Sequence, residues 1–445
     1  MKITGLSKKT IGNLFSPWTA AISITAVGLL FTLLPQNLYE KIMGEPDLMF
    51  GSIKTWFWLI STATVFSIFS YMGSRINKRK DSLGEFKPGQ KYHYRQAISI
   101  LLTIIIALDL FKLSYFSSAI GLGKIVTAFS QGGAGDLREQ INSKIGGSQI
   151  SWISDFLVPI FLYSFWNILN TKSNKKMLFI FFIAAILHIV VSLATFTRGP
   201  LIALLSMLLI IYLFNRFRKR RLSLYYLLRV GIIFIGAFFT IFAIVDRSRG
   251  DQTVSQSQVR ESLIRSIVGY FPASYNRLAA VVENKLVMPN SGWGYYTTQG
   301  IWEATIVAKT FKFTILGQEL GIDIPSTGYD NWLGQFTAVG NIGLQRNLIW
   351  ATAPGYVWAD YGVFGLIWFS VIGFLTGWLY KLFLRHSLLG ITLYPLALYS
   401  IISWISLPVI SQNSTNLSLV GIFLIWIVLN FSQHAVVLRA SRNAF

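Results

Sequence analysis

KKMLFIFFIAAILHIVVSLATFTRGPLIALLSMLLIIYLFNRFRKRR, residues 175–221, decides the fold class. Two apolar runs flank the turn Thr197-Arg198-Gly199-Pro200, with Lys175 and Lys176 before them and Arg216 to Arg221 after. Each run approaches the ~20 residues that a helix needs to cross a bilayer's hydrocarbon layer. A bilayer offers the backbone no water to bond, so such runs must be helices. The stretch reads as two antiparallel membrane spans with both basic ends on one side.

The whole chain agrees with that reading. Its 445 residues are 53% hydrophobic and 15% aromatic, and only 13% are charged, with a formal net charge of +21. Soluble domains carry about 25% charged residues. A nucleic-acid binder can be this basic but not this apolar, so no nucleic-acid partner is expected. So apolar a chain has enough surface to bury and is not disordered. With no cysteine, a disulfide scaffold and Cys-ligated zinc are excluded.

Ten segments qualify as spans: 17–35, 55–73, 96–116, 151–169, 177–196, 199–214, 222–245, 361–380, 389–410 and 417–433. The expected fold is an all-α polytopic membrane protein of about ten transmembrane helices, one integral membrane domain over 1–445. The first span follows Lys2, Lys8 and Lys9 like a start-transfer sequence, and it is too long and too poor in small residues at its end to read as a cleaved signal.

Lysine and arginine collect on the cytoplasmic side of membrane proteins. With the N-terminus inside, 23 of the 39 basic residues fall on inner segments, whose only acids are Asp81 and Glu85. The other 16 basic and 16 acidic residues lie outside or within the spans. Both termini are therefore expected in the cytoplasm. Two connections on the outer side are long: 117–150, and 246–360 between the seventh and eighth spans. Loops of such length are usually functional. No internal repeat or pair of broken helices is evident, which weighs against a secondary transporter.

Familiar catalytic motifs are missing. Gly121-Leu122-Gly123-Lys124 lacks the phosphate-loop spacing, no HExxH occurs, and His93, His188, His386 and His434 all fall outside the outer loops. Nucleotide-driven and histidine-based mechanisms are not expected.

The outer arginines stand out instead. Arg198 is fixed by its tight turn, and Arg138, Arg247, Arg249, Arg260, Arg265, Arg277 and Arg346 occupy the long segments. A guanidinium is permanently charged and its planar fork matches phosphate oxygens, so these suit a lipid-linked pyrophosphate. Headgroup contact or pairing with acids is the plainer role. Among acids, Asp109 and Lys112 are three apart on one helix face and suit a neutralising pair. Asp360, before the eighth span, suits either an N-cap or a site. Glu303, Asp323 and Asp330 are candidate bases. Glu45 and Asp47 could bind a divalent metal, although Glu-Pro-Asp is also turn chemistry. Rings separated by glycines (Trp293, Tyr295, Tyr296, Trp302, Tyr329, Trp332, Trp350, Tyr356 and Trp358) suit sugar stacking or interface anchoring.

Three features resemble the oligosaccharide repeat-unit polymerases, the Wzy-type O-antigen and capsule polymerases. One is the hairpin Ser192 to Leu201 with its Arg-Gly turn. Another is the block Arg346-Asn347-Leu348-Ile349-Trp350-Ala351-Thr352, Tyr356 to Gly365, then Gly373 and Gly377-Trp378-Leu379-Tyr380. The last is the layout, with about ten spans, both termini inside and one dominant late outer loop. The family's Arg, ten residues, Gly pattern is absent after Arg138, Arg198, Arg249 and Arg346, so those motif roles do not transfer. The absence of an outer His separates the chain from the O-antigen ligases.

The resemblance implies a multi-pass enzyme of the bacterial inner membrane that polymerises undecaprenyl-pyrophosphate-linked oligosaccharides at the periplasmic face. Neither a metal nor a cofactor is expected. Arg198, Arg249, Arg346 and Arg138 would hold the pyrophosphate, and Asp360 or Glu303 would serve the acceptor hydroxyl. Trp293, Tyr295, Tyr329 and Trp332 would face the glycan. Membrane lipid and a chain-length co-polymerase are the implied partners. A ligase, another lipid-linked-sugar glycosyltransferase and a flippase are the alternatives.

Overall fold

The computed structural model describes residues 13, 15–76, 91–131, 137, 152–170, 175–194, 199–219, 223–249, 271–292, 294–302, 328–346 and 348–442. Every regular element among them is helical. In order these are α1 (Pro17–Thr32), α2 (Gln36–Met43), α3 (Ile53–Arg75), α4 (Lys91–Ile120), α5 (Leu122–Gln131), α6 (Trp152–Asn170), α7 (Lys175–Ala194), α8 (Gly199–Lys219) and α9 (Leu224–Arg249). Then follow α10 (271–282), α11 (Gln299–Trp302), α12 (Gly328–Asn341), α13 (Thr352–Tyr361), α14 (Gly365–Leu384), α15 (Leu388–Ile402) and α16 (Asn413–Arg442).

Each of the ten expected segments overlaps a helix, although 361–380 begins in α13 and 389–410 runs past the end of α15. Among the described residues, six stretches are long and apolar enough to cross a membrane: Ile53–Arg75, Arg95–Ile120, Lys175–Ala194, Gly199–Lys219, Thr352–Leu384 and Leu388–Ile405. The pair α1 and α2 would make a seventh, bent by 92°. Large apolar side chains such as Phe57, Ile60 and Ile68 on α3, or Phe179, Ile186 and Val190 on α7, are exposed. Lipid is the solvent that such faces require.

Two expected spans are broken, and the causes are local. The first ends where Pro35 cannot continue α1, and α2 sets off at its new angle before Gly44 ends it at φ 66°. The stretch 389–410 stops as an α-helix at Ile402 and continues as two 3₁₀ turns around Pro408. The eighth span is preceded by its own helix. Gly362, at φ 54°, turns α13 into a short 3₁₀ segment before α14 begins.

The closest helix pair is α3 with α14. A Cβ at Gly377 would overlap the Ser70 carbonyl, one at Gly373 the Phe66 carbonyl, and one at Gly73 the Phe374 carbonyl. Interfaces in lipid gain from such close backbone approach, since apolar surface alone does not drive association there. Around this seam, α1, α3, α6, α8, α10 and α13–α15 share one apolar core. A second core joins α4, α6, α7, α8 and α16. A third, separate cluster, containing Val281, Met288, Tyr295, Tyr296, Val339 and Tyr356, is built from the chain between α10 and α13. The candidate site lies beside this last cluster.

Candidate functional site

Arg277 on α10 anchors the region. It is fully buried, and all five of its N–H donors are used. The terminal nitrogens reach Glu45 Oε1 at 2.5 Å and Oε2 at 2.7 Å, Ala273 O at 3.1 Å and Gln345 O at 3.0 Å, while Nε donates to Leu348 O. Glu45 is equally occupied. It also accepts from the Tyr39 hydroxyl (2.5 Å), the Asn276 amide (3.2 Å) and the Gln345 backbone N–H (2.7 Å). Burial pushes the Glu45 carboxyl up, but the Arg277 guanidinium, the Tyr39 hydroxyl and the Gln345 amide outweigh it, leaving Glu45 below its ordinary value.

This arrangement corrects two expectations. Arg277, grouped by sequence with the arginines suited to pyrophosphate, is spent on structure. Glu45, offered as a metal ligand with Asp47, has both oxygens committed to protein donors. Asp47 does turn chemistry, accepting from the Met49 and Phe50 amides at 2.8 and 3.1 Å. Burial pushes its carboxyl up, and those amides offset part of that rise.

The knot fixes where the following chain runs. Asn276 donates to Pro46 O at 2.9 Å and accepts from the Leu48 amide at 2.6 Å, clamping the first connecting loop onto α10. Ser52 donates to Glu283 at 2.7 Å, and Lys54 to Val282 O at 2.5 Å. At the start of α3, Trp58 donates to Pro354 O at 3.0 Å and meets the Trp358 ring edge-on at 4.9 Å. Thus α3 and α10 together hold α13 in place.

On α13, Asp360 is 8% exposed. Its Oδ2 accepts from the Thr297 backbone N–H at 2.8 Å, and its Oδ1 has no hydrogen-bond partner. The amides of Gly292 and Tyr296 also lie near the carboxylate. Asp360 is therefore no N-cap of the eighth span, because it sits in the last turn of the preceding helix and holds the 292–297 loop instead. Beside it, Thr297 Oγ1 donates to the Tyr361 hydroxyl oxygen at 2.9 Å. Gly294, at φ 78°, leaves the space that the Tyr361 hydroxyl occupies. A buried carboxylate oxygen without a donor is a ready acceptor for a hydroxyl proton.

The aromatic expectation divides. Tyr295 is 4% exposed and packs edge-on against Tyr296, whose ring lies 4.8 Å from Tyr356. These rings are core, so Tyr295 does not offer an open face to a glycan. Trp332 is half-buried against Phe336 at 4.4 Å. Tyr329 lies on the first turn of α12, whose Gln335 accepts from the buried Tyr356 hydroxyl at 2.9 Å.

Arg346 is exposed, and its aliphatic stem lies against Gly340, where any Cβ would collide with it. The α12 glycine thus makes a seat for the arginine, a relation no sequence spacing announces. Arg249 ends α9. Arg138, Arg198, Trp293, Glu303, Asp323 and Arg260 lie outside the described residues. Asp330 is placed on α12 only by its backbone.

Elsewhere, Asp109 on α4 meets a partner on another helix. His188 Nδ1 on α7 lies 3.1 and 3.2 Å from its two oxygens. Asp109 still interacts electrostatically with Lys112, so the expected pair is one edge of a larger group.

Compared with known proteins, the chain matches no family model, no curated protein and no solved structure.

Proposed function

We propose that the protein is a glycosyltransferase that joins oligosaccharide repeat units carried on undecaprenyl pyrophosphate, at the periplasmic face of a bacterial inner membrane. In this reading the bundle has about ten spans, both termini lie in the cytoplasm, and 246–360 is the periplasmic catalytic segment. The acceptor hydroxyl attacks the anomeric carbon of the donor glycan. The carbon–oxygen bond to the lipid pyrophosphate breaks, and the pyrophosphate leaves with the bonding electrons. It already carries its charge, so no leaving-group acid is required. Arginines preorganised around it would stabilise charge developing on the bridging oxygen.

The observation that supports the reading most is Asp360. One oxygen is held by the Thr297 amide and the other is free to accept a proton, on a helix braced from several sides. Asp360 is the base for the acceptor hydroxyl, and Arg346, on its glycine seat, is a pyrophosphate ligand together with Arg198, Arg249 and Arg138. Glu303 is the second candidate base, and Trp293, Tyr329 and Trp332 line the glycan path. A chain-length co-polymerase is the proposed protein partner. The buried ionisable group around Asp109 favours a second reading, a flippase or transporter of lipid-linked sugars.

Deleting the gene separates these readings. Loss of a polymerase leaves lipid A–core with a single repeat unit, loss of a ligase leaves none attached, and loss of a flippase traps units inside. An unchanged long-chain ladder rejects all three. Asp360→Asn should lower polymerisation by about 10²–10⁴-fold at unchanged protein abundance. Arg198→Ala should abolish the ladder, and a normal ladder would return that residue to headgroup contact.

A further inference from the structure

The paired ends of α3 and α14 carry an inference that does not depend on the polymerase reading. The two helices run parallel, since Phe66 meets Gly373 and Ser70 meets Gly377 along the seam. Their last turns therefore reach the same level. Arg75 is the final residue of α3, Lys381 lies in the last turn of α14, and Arg385 follows as its C-cap. Lys381 Nζ donates to Ile76 O, the carbonyl just beyond Arg75. Arg385 stands four residues after Lys381, one helical turn along the same face. Both arginines act on Lys381 as like charges.

Measured against Arg277, these cations are unspent. An ammonium offers three donors and a guanidinium five. Among the described residues, the Lys381 side chain bonds only to Ile76 O, and that of Arg75 only to the Tyr71 hydroxyl, at 2.5 Å. The Arg385 side chain bonds to none of them, and none of the three cations is paired with a described carboxylate. Asp81 and Glu85, the acids that follow α3 in sequence, lie outside the described residues. They are outnumbered on their own segment by Lys78, Arg79, Lys80, Lys87 and Lys91, so pairing both of them here would still leave positive charge in excess.

The surroundings at this level are those of a membrane boundary. Trp18, in the first turn of α1, meets Tyr71 edge-on at 5.7 Å and Tyr380 at 5.6 Å. The Arg75 guanidinium lies over the Tyr71 ring at 4.8 Å. Indole and phenol rings collect at headgroup depth. Toward the middle of the helices, Ile68 and Met72 on α3 and Val371 and Leu375 on α14 are exposed. An apolar flank that ends in unspent cations complements a molecule with hydrocarbon chains and an anionic head. We propose that Arg75, Lys381 and Arg385 form a binding site for one acidic phospholipid. Its phosphate sits among the ammonium and guanidinium groups, and its chains lie along the exposed flanks of α3 and α14.

The test uses the full chain in dodecyl maltoside, titrated with dioleoylphosphatidylglycerol or dioleoylphosphatidylcholine and read by native mass spectrometry. Phosphatidylglycerol should bind more tightly by about tenfold or more. Arg75→Gln, Lys381→Gln and Arg385→Gln combined should weaken it about 100-fold, since each basic residue beside an acidic lipid contributes roughly fivefold. Replacing three exposed cations elsewhere, Lys175, Lys176 and Lys219, by glutamine should leave it nearly unchanged. An equal loss there would mean that net charge alone attracts the lipid, and would overturn the proposal. If the combined variant does not fold, Arg385→Gln decides alone, with an expected weakening of about fivefold. Equal affinity for the two lipids overturns the proposal, as does unchanged binding in Arg385→Gln. Displacement of the lipid by equimolar inorganic phosphate also overturns it, by making the site one for a free anion.

Discussion

At Arg277, five donors meet five acceptors, and one guanidinium cancels one carboxylate with nothing left over. At Asp109 the carboxylate is equally buried, yet it is shared between the imidazole of His188 on α7 and Lys112 of its own helix. The difference separates a saturated pair from a shared one. A balanced, saturated pair has no free valence for a ligand and serves to fasten the first connecting loop, α10 and the chain before α13. A carboxylate shared between two partners keeps part of its contact when either one is removed.

The strongest way to break this comparison is at the joint. Arg277→Ala should cost about 3–5 kcal/mol of stability, since it strands the Glu45 carboxylate in the interior. Thermal unfolding in detergent would register it. Replacing both partners by apolar residues, Glu45→Leu with Arg277→Met, should recover most of that loss. A double variant as unstable as the single one would mean that the hydrogen bonds to Leu348 and Gln345, rather than the charge pair, hold the knot.

A smaller effect is expected at the other group. Asp109→Asn should cost about 1.5–3 kcal/mol, the worth of a hydrogen bond to a charged group, because the amide oxygen still offers His188 an acceptor. A loss equal to that of Arg277→Ala would erase the distinction drawn above.

Acid sharpens the contrast with the least perturbation. Glu45 binds its proton less tightly folded than unfolded, so its contribution is complete above the ordinary carboxylate value of 4.5. It is lost as the pH falls through the lower folded value, where the unfolded chain binds more protons. Melting temperature measured downward from pH 6 should therefore fall below about pH 4.5 in the wild type. The slope should be shallower in the apolar double variant.

The helices were legible because hydropathy is local. Residues 53–75 or 175–194 announce a span within their own length. Breaks were not legible where a single proline outweighed an apolar run, as at Pro35 and Pro408. The Asp109 and Lys112 edge could be read from a spacing of three, but His188 arrives from another helix, 79 positions away. Glu45 and Arg277 are 232 positions apart, and each alone looked like a ligand for something absent. Asp360 was ambiguous for a related reason. Sequence showed an acid before a span, and only the preceding helix revealed that its carboxylate points back to Thr297. The seating of Arg346 on Gly340 depends on a turn between them, which composition does not encode.

The glycine seam between α3 and α14 also constrains how the chain is made. A ribosome adds about 5–20 residues per second, so the ~290 residues from Arg75 to Gly365 take about 15–60 s to synthesise. Through that interval α3 sits in the bilayer with lipid chains filling the groove that Gly373 and Gly377 will later enter. Completion of the main core is thus a late event, and a nascent chain halted before α14 has α3 inserted without the partner that closes its seam.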